Sequence, residues 1–331
     1  MEYRKYPLGK IGSGWRHFLR HENIVLVIVL IGTIFGFGGA TKGQNLASLN
    51  VLNVLLQSAI RGIASIGQAF VMISGGIDVS VGANGLFAAV LGARLMTESW
   101  QNIVGHPLPI YLSMLLMILG AMAWGLFHGL AVSRIGMPAL IVTLATWQII
   151  TGAAFLVSDG MLVGQLPDNL AFWGSGKIGG VFVPVIMFVV QSIIAYFVLM
   201  HTTFGRSVYA AGGNAVSAWL SGIDVRRITV VIYLISAFCA GLAGVVMTAR
   251  VMSASMKTLS GLEIDSIAAV VVGGVSLAGG KGNIIGVFLG VLIIGFTNNG
   301  MSLLGAGPAE VNIVKGLIIF FAVAIDYLRR R

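Results

Sequence analysis

The sequence predicts an all-α membrane protein, a polytopic bundle of about ten transmembrane helices forming one domain over residues 1–331. Three observations predict this fold. The composition is 57% hydrophobic and only 9% charged, whereas about a quarter of the residues of a soluble domain are charged. Apolar runs recur along the chain at close to the ~20 residues that a helix needs to cross a bilayer. The 46 glycines favour close helix–helix contact in lipid.

Ten apolar runs are candidate spans. The first follows a basic leader, residues 1–23, and we interpret it as retained, because it is long and lacks a small-residue signal-peptide cleavage site. The second to tenth follow with short connections, and only two longer loops, 157–180 and 201–227, separate them. The runs cover roughly 24–40, 48–72, 82–96, 108–130, 138–156, 181–200, 228–248, 263–279, 284–303 and 309–327.

The basic residues predict the orientation. With the N-terminus in the cytoplasm, 13 of the 20 Lys and Arg residues lie in cytoplasmic segments and 5 in outer segments, as the positive-inside rule expects. Both termini are therefore expected in the cytoplasm. Eight spans would keep the same parity, so the charges leave eight and ten open. Because the net charge of +9 flanks apolar runs, it indicates a lipid bilayer rather than nucleic acid as the partner.

Two glycine-rich segments interrupt the apolar pattern. GGIDVSVGANGLFAAVLG (75–92) aligns with GGVSLAGGKGNIIGVFLG (273–290) with five identities, four of them glycine. Both join two predicted spans on the cytoplasmic side. Such interruptions at matching places are typical of transport sites beside broken helices, and two tight turns are the alternative. The second segment is not a Walker phosphate loop, because Gly282 follows Lys281 where Ser or Thr is needed.

A polar stripe follows one face of the second span, because its members are three or four residues apart. An unpaired polar group in hydrocarbon costs several kcal/mol, so this face should meet protein or water. Interhelical hydrogen bonding and a path for a polar solute are both open. The stripe consists of Asn53, Gln57, Arg61, Ser65 and Gln68.

Further polar residues inside the spans are candidates for the same path. A cation near the middle of a span normally has a partner or a function, and Asp78 or Asp265 could pair with Arg61. Asn298 and Asn299 form a second polar patch, in the ninth span. Amide side chains both donate and accept hydrogen bonds, which suits hydroxyl-rich solutes. No Cys/His cluster has metal-ligand spacing, so neither metal nor cofactor is expected.

A short helix is predicted within the loop 201–227. Asn214 is a good N-cap, AVSAWLS (215–221) gives about two turns, and Gly222 suits a left-handed C-terminal cap. The residues of its apolar face are Val216, Trp219, Leu220 and Ile223. A helix this short is marginal alone in water. It could therefore pack on its own spans, lie at the lipid interface, or dock into a groove on a partner protein.

Three stretches resemble the permease subunits of bacterial ABC importers of the ribose/xylose/arabinose/galactose type, whose wider group includes branched-chain amino-acid permeases. SGGIDVSVG (74–82) matches a family motif except that Val79 replaces leucine. TFGRSVYAAGGNAVSAWLSGIDV (203–225) resembles the family's cytoplasmic loop, and VVVGGVSLAGGKGNIIGVFLGVLIIGFTNNGMSLL (270–304) its third motif. The stretches span most of the chain in the family's order.

The resemblance implies a non-catalytic subunit in a bacterial inner membrane. It implies separate ABC ATPase subunits in the cytoplasm, an external solute-binding protein and a second permease chain, most simply an identical one. Residues 201–227 would then be the coupling loop that the ATPase grips. The family's acidic or basic residues are absent at Ala215 and Ala218. The loop residues that match the motif are Gly205, Arg206, Gly213, Asn214, Ser221 and Gly222.

Rival interpretations share the spans. A secondary transporter or facilitator would work without ATP or partners, and a membrane scaffold would not transport at all. Within the importer class, the solute could instead be a nucleoside, an autoinducer-like sugar derivative or a branched-chain amino acid. The sequence itself does not name the solute.

Overall fold

The computed structural model describes residues 21–328, and the side chains of residues 23–324. Most of the basic leader, residues 1–20, and the last three residues lie outside the described part. Thirteen α-helices follow one another in this part of the chain. They are α1 His21–Ala40, α2 Ser48–Ile73, α3 Val81–Met96, α4 Ile110–Leu130, α5 Ala139–Ser158, α6 Ala171–Ser175, α7 Val183–His201, α8 Thr203–Gly213, α9 Ala215–Leu220, α10 Val225–Val251, α11 Leu262–Val272, α12 Ile284–Leu303 and α13 Pro308–Leu328.

Short elements complete the chain. A π-helical turn, Ala131–Ile135, extends α4, and 3-10 turns form at Gln44–Leu46 and Asp168–Leu170. The long loop before α7 contains a small antiparallel hairpin of β1 Lys177–Ile178 and β2 Val181–Phe182. The protein is thus an all-α polytopic membrane protein.

Within the described residues, seven helices are long and apolar enough to cross a membrane: α1, α2, α4 with its π turn, α5, α7, α10 and α12. Helix α13 has 21 residues and coincides with the tenth expected span. The third expected span, 82–96, corresponds to the 16-residue helix α3. The expected span 263–279 is wrong in extent, because α11 ends at Val272 after 11 residues. Gly274 there takes a φ of 81°, which ends the helix although the sequence stays apolar.

Helix α10 lies at the centre and packs against α2, α3 and α4. Small residues allow this approach. A Cβ on Gly129 of α4 would lie 2.7 Å from the Cα of Val230, and one on Gly241 of α10 would lie 2.9 Å from the Cβ of Ala121. Close backbone contact between glycines and alanines is the expected way for helices to associate in lipid.

Helices α1, α4, α5 and α7 form the apolar outside of the bundle. Each exposes several large hydrophobic side chains, among them Phe35, Leu126, Leu156 and Phe197. In a protein surrounded by water such faces would promote aggregation, whereas in a bilayer they meet lipid. Lipid or a partner therefore covers these faces.

Candidate functional site

Helix α9 is built as its sequence predicts. Asn214 ends α8 and begins α9, and its Oδ1 accepts a hydrogen bond from the backbone N–H of Ser217 at 2.9 Å. Gly222 follows the helix with a φ of 84°. The predicted N-cap and left-handed stop are both confirmed, and together they define a six-residue helix between α8 and α10.

The apolar face of α9 is exposed. The exposed fractions are 68% for Val216, 68% for Trp219 and 72% for Leu220, while Ile223 is half-buried. Val216, Trp219 and Ile223 line an open groove of about 920 Å³. Ala218 is buried, so it lies on the inward face of α9, and only Ala215 belongs to the exposed surface. Packing of α9 against the chain's own bundle is therefore excluded for this face.

Helix α8 holds α9 in place. The Oγ1 of Thr202 accepts a hydrogen bond from the backbone N–H of Gly205 at 3.1 Å. Gly205 is buried, and a Cβ there would collide with the carbonyl oxygen of Leu199. Arg206, Gly213 and Ser221 are exposed. The motif glycine and the capping residue thus have structural functions, while Arg206 is available to a partner.

The polar stripe on α2 divides in two. Asn53 and Gln57 are exposed and Arg61 is half-buried, whereas Ser65 and Gln68 are fully buried. The exposed residues lie in the half of α2 nearer its N-terminus. Because polar side chains exposed on a membrane helix are not expected to face lipid, this half meets a partner chain or water.

Three charged residues from three helices meet at Arg61, where the exposed part of the α2 stripe ends. The Nε of Arg61 lies 2.9 Å from Oδ2 of Asp265, and the Nζ of Lys315 lies 2.7 Å from Oδ1 of the same carboxylate. The three side chains are 10–26% exposed. Of the two anions considered for Arg61, Asp265 is the partner, and Asp78 is not. We call this set, which carries one net positive charge, the charged triad.

Asp78 has its own buried site. It is 2% exposed, and its Oδ1 accepts hydrogen bonds from the backbone N–H of Ser80 at 2.9 Å and from the Oγ of Ser80. Its Oδ2 accepts one from the Oγ of Ser236 on α10 at 2.8 Å. Asp78 thereby fixes the glycine-rich loop between α2 and α3 to the central helix.

The two asparagines of α12 have different environments. Asn299 exchanges two hydrogen bonds of 2.9 Å with Asn50 of α2, so each amide donates to the other's oxygen. Asn298 is 9% exposed, and neither polar atom of its side chain has a partner among the described residues. Interhelical hydrogen bonding therefore explains Asn299, and Asn298 retains free donors and acceptors.

Several polar partners were not identified from the sequence. Lys315, Asn50 and Ser236 complete the three clusters above, and each lies at least 50 positions from its partner along the chain. His128 is another: it is fully buried with its ring edge-on to Tyr233, the ring centroids 6.0 Å apart. A polar residue in an apolar run was the only available signal for these four.

Comparisons with known proteins find similar sequences among transport permeases. The family described as "Branched-chain amino acid transport system / permease component" matches residues 50–323. The ribose import permease protein RbsC of Bacillus subtilis is 40% identical over 283 residues, 85% of each chain. RbsC of Escherichia coli K12 is 34% identical over 324 residues, 95% of this chain and 97% of the relative. No solved structure matches the chain.

A further similar protein is named for a different sugar. The D-allose transport system permease protein AlsC of Escherichia coli K12 is 34% identical over 305 residues, 92% of this chain and 90% of the relative. The named substrates of these relatives are sugars.

Proposed function

This chain belongs to the permease-component family of ABC import systems, and from this premise we propose that it is the membrane-spanning subunit of an ATP-driven sugar importer. The observation that carries the proposal is the exposed apolar face of α9, which is fixed to the bundle by α8. The external solute-binding protein delivers the sugar, and the ATPase subunit holds α9 from the cytoplasm. The chain itself supplies the path and has no catalytic function.

The polar face of α2 lines the path. Asn53 and Gln57 are exposed, and Arg61 lies next to them on the same face, paired with Asp265. We place a second copy of the permease opposite this face, so that the path runs between the two chains. The Asn298 side chain, whose amide nitrogen and oxygen have no hydrogen-bond partner among the described residues, lies near the proposed path. Asp78 and Asn299, which we also assign to the path region, support its walls through the hydrogen bonds described above.

The charges of the triad do not suit the ammonium group of an amino acid. Asp265 is already paired with two cations, so the triad offers no free carboxylate to the ammonium group of an amino acid. Amides supply donors and acceptors for hydroxyl groups without requiring a charge. A sugar therefore suits the path better than a zwitterionic amino acid, and nucleosides or sugar derivatives remain the alternatives within this class.

Uptake of radiolabelled D-ribose into proteoliposomes tests the proposal. The chain is reconstituted with an ABC ATPase and a solute-binding protein from the same organism, and each component is omitted in turn. We expect uptake only when all three proteins and ATP are present. Uptake by the permease alone would instead identify a secondary transporter or facilitator, and complete absence of uptake of ribose, allose and arabinose would contradict a sugar importer.

The proposed orientation has its own test. Both termini are placed in the cytoplasm of a bacterial inner membrane, with α9 on the same side. Cysteine substituted at Ser217 should be labelled by a membrane-impermeant maleimide only in inverted vesicles. Labelling of Ser217→Cys from the outside of intact cells would contradict the cytoplasmic position of α9.

A further inference from the structure

Four glycines bring three backbone segments into contact. Gly212 lies at the end of α8, Gly75 lies in the loop between α2 and α3, and Gly279 and Gly280 lie in the loop between α11 and α12. We call this set the glycine junction. The backbone N–H of Gly280 donates a hydrogen bond of 2.8 Å to the carbonyl oxygen of Ile73, the last residue of α2.

There is no room for a side chain at Gly212, Gly279 or Gly280, whereas Gly75 takes a φ of 87° that favours glycine. A Cβ on Gly279 would lie 2.7 Å from the carbonyl oxygen of Gly212 and 2.7 Å from the Cα of Gly75. A Cβ on Gly212 would collide with the carbonyl oxygen of Ile73. Since the contacts are between backbones, no flexible side chain lies between the segments to absorb a displacement.

A second contact fixes α8 to the same loop. The Oη of Tyr209, one turn before Gly212, donates a hydrogen bond of 2.8 Å to the carbonyl oxygen of Gly282. Helix α8 is thus attached at two points to the loop between α11 and α12, and at one point to the end of α2. A displacement of α8 must move both loops or break these contacts.

The junction also lies between α9 and the polar clusters. Asn214 alone separates α8 from α9, so α9 and the end of α8 form one bent unit. The loop after α2 continues to Asp78, and α11, which precedes the other loop, carries Asp265 of the charged triad. The three segments of the chain that resemble the family motifs therefore meet at one place.

We propose that Gly75, Gly212, Gly279 and Gly280 are positioning residues for transport, which transmit a displacement of α9 to the α2–α3 loop and the α11–α12 loop at once. The inference rests on the proposed function, because it requires an ATPase that moves α9. In this mechanism the loop before α3 and the loop before α12 move together, so Asp78 and the triad change position in the same step. The glycines themselves contact neither solute nor nucleotide.

The test compares Gly212→Ala with Gly152→Ala in the reconstituted importer, with ribose as the probe. Gly152 is a helical glycine of α5 that is exposed and has no atom within 4 Å of an added Cβ, so it controls for the substitution itself. We expect Gly212→Ala to copurify with the ATPase and to hydrolyse ATP, but to import at least tenfold less ribose per ATP. Gly152→Ala should stay within twofold of the unmodified chain.

An unchanged ratio of ribose to ATP in Gly212→Ala would overturn the inference. A change confined to folding would lower uptake and hydrolysis together and leave the ratio constant, which would also overturn it. If Gly212→Ala is not recovered as a folded protein, Tyr209→Phe decides, because it removes the hydrogen bond to Gly282 and adds no atoms. We expect a two- to fivefold lower ratio for Tyr209→Phe, and an unmodified ratio would contradict the junction.

The proposed function and this inference fail in different ways. If the unmodified chain neither binds the ATPase nor requires it for uptake, the proposed function is wrong, whatever the variants do. If the unmodified importer is ATP-dependent and Gly212→Ala behaves like Gly152→Ala, only the junction inference is wrong.

Discussion

Two exposed faces of the molecule have a polarity opposite to that of their surroundings. Helix α9, between membrane spans, exposes Val216, Trp219 and Leu220, whereas the membrane-spanning α2 exposes Asn53 and Gln57. An apolar face is unfavourable in water, and a polar face is unfavourable in lipid. The two faces therefore call for different surroundings: polar groups or water for α2 and, as we propose, an apolar groove of the ATPase for α9.

The largest effect is expected from placing charges on the apolar face of α9. Trp219→Asp/Leu220→Asp should abolish both copurification of the ATPase and uptake while leaving the chain inserted in the membrane. Burial of each large apolar side chain contributes about 1.5–3 kcal/mol, and an unpaired carboxylate in an apolar groove adds a large penalty. Pull-down of the ATPase from detergent extracts measures this loss.

The control for that variant is Ser217→Asp, which places a carboxylate on the same helix outside the apolar face. It should retain the ATPase. Normal copurification of the ATPase with the double variant would contradict docking through α9. The exposed apolar face of α9 would then need another explanation.

The second-largest effect is expected from a change in the charged triad. Asp265→Asn leaves Arg61 and Lys315 facing each other without an anion, and breaking such a pair costs about 3–5 kcal/mol. Lys315→Met leaves Arg61 paired with Asp265 and no charge without a partner in the triad, so it should cost clearly less. Thermal unfolding in detergent should therefore show a much larger loss for Asp265→Asn. Equal losses would contradict the shared carboxylate.

The third effect tests the polar face itself. Gln57→Leu should lower the uptake rate about three- to tenfold without loss of the ATPase, because it removes donors and acceptors from the path but no interhelical bond. Thr151→Val on the lipid-facing part of α5 is the control and should transport normally. A membrane scaffold predicts no change in either variant, so unmodified uptake by Gln57→Leu would favour that rival.

The smallest effect separates the two asparagines of α12. Asn299→Leu breaks the reciprocal pair with Asn50 and should lower the free energy of unfolding by about 0.6–2 kcal/mol, the range for hydrogen bonds between membrane helices. Asn298→Leu removes an amide without partners among the described residues and should not destabilise the protein. Asn50 also donates to the carbonyl oxygen of Asn45 at 3.0 Å, so the pair is isolated by a double-mutant cycle of Asn50→Leu and Asn299→Leu. Strictly additive losses in that cycle would contradict the pair.

Local features were predictable from the sequence and distant pairings were not. The cap at Asn214 and the stop at Gly222 follow from rules that act over a few residues, and both are confirmed. The need for a partner at Arg61 follows from the cost of a charge in lipid. The choice of Asp265 over Asp78, however, depends on how α11 packs against α2, and no periodicity encodes that packing.

The error over 263–279 has a physical cause. Apolar residues continue through Val275 and Leu277, so hydropathy alone predicts one span, but paired glycines permit backbone angles that end α11 at Val272. The resemblance between the two glycine-rich segments left either broken helices or two tight turns open at both places. It did not indicate that the two breaks touch each other and the end of α8.

The exposed tryptophan and leucine of α9 also have a consequence for the cell. A newly made chain that has not yet bound an ATPase exposes an apolar surface of the kind that chaperones and proteases recognise. Orphan copies should be degraded faster than assembled ones. The amount of this protein in a membrane should then follow the supply of the other subunit rather than its own rate of synthesis.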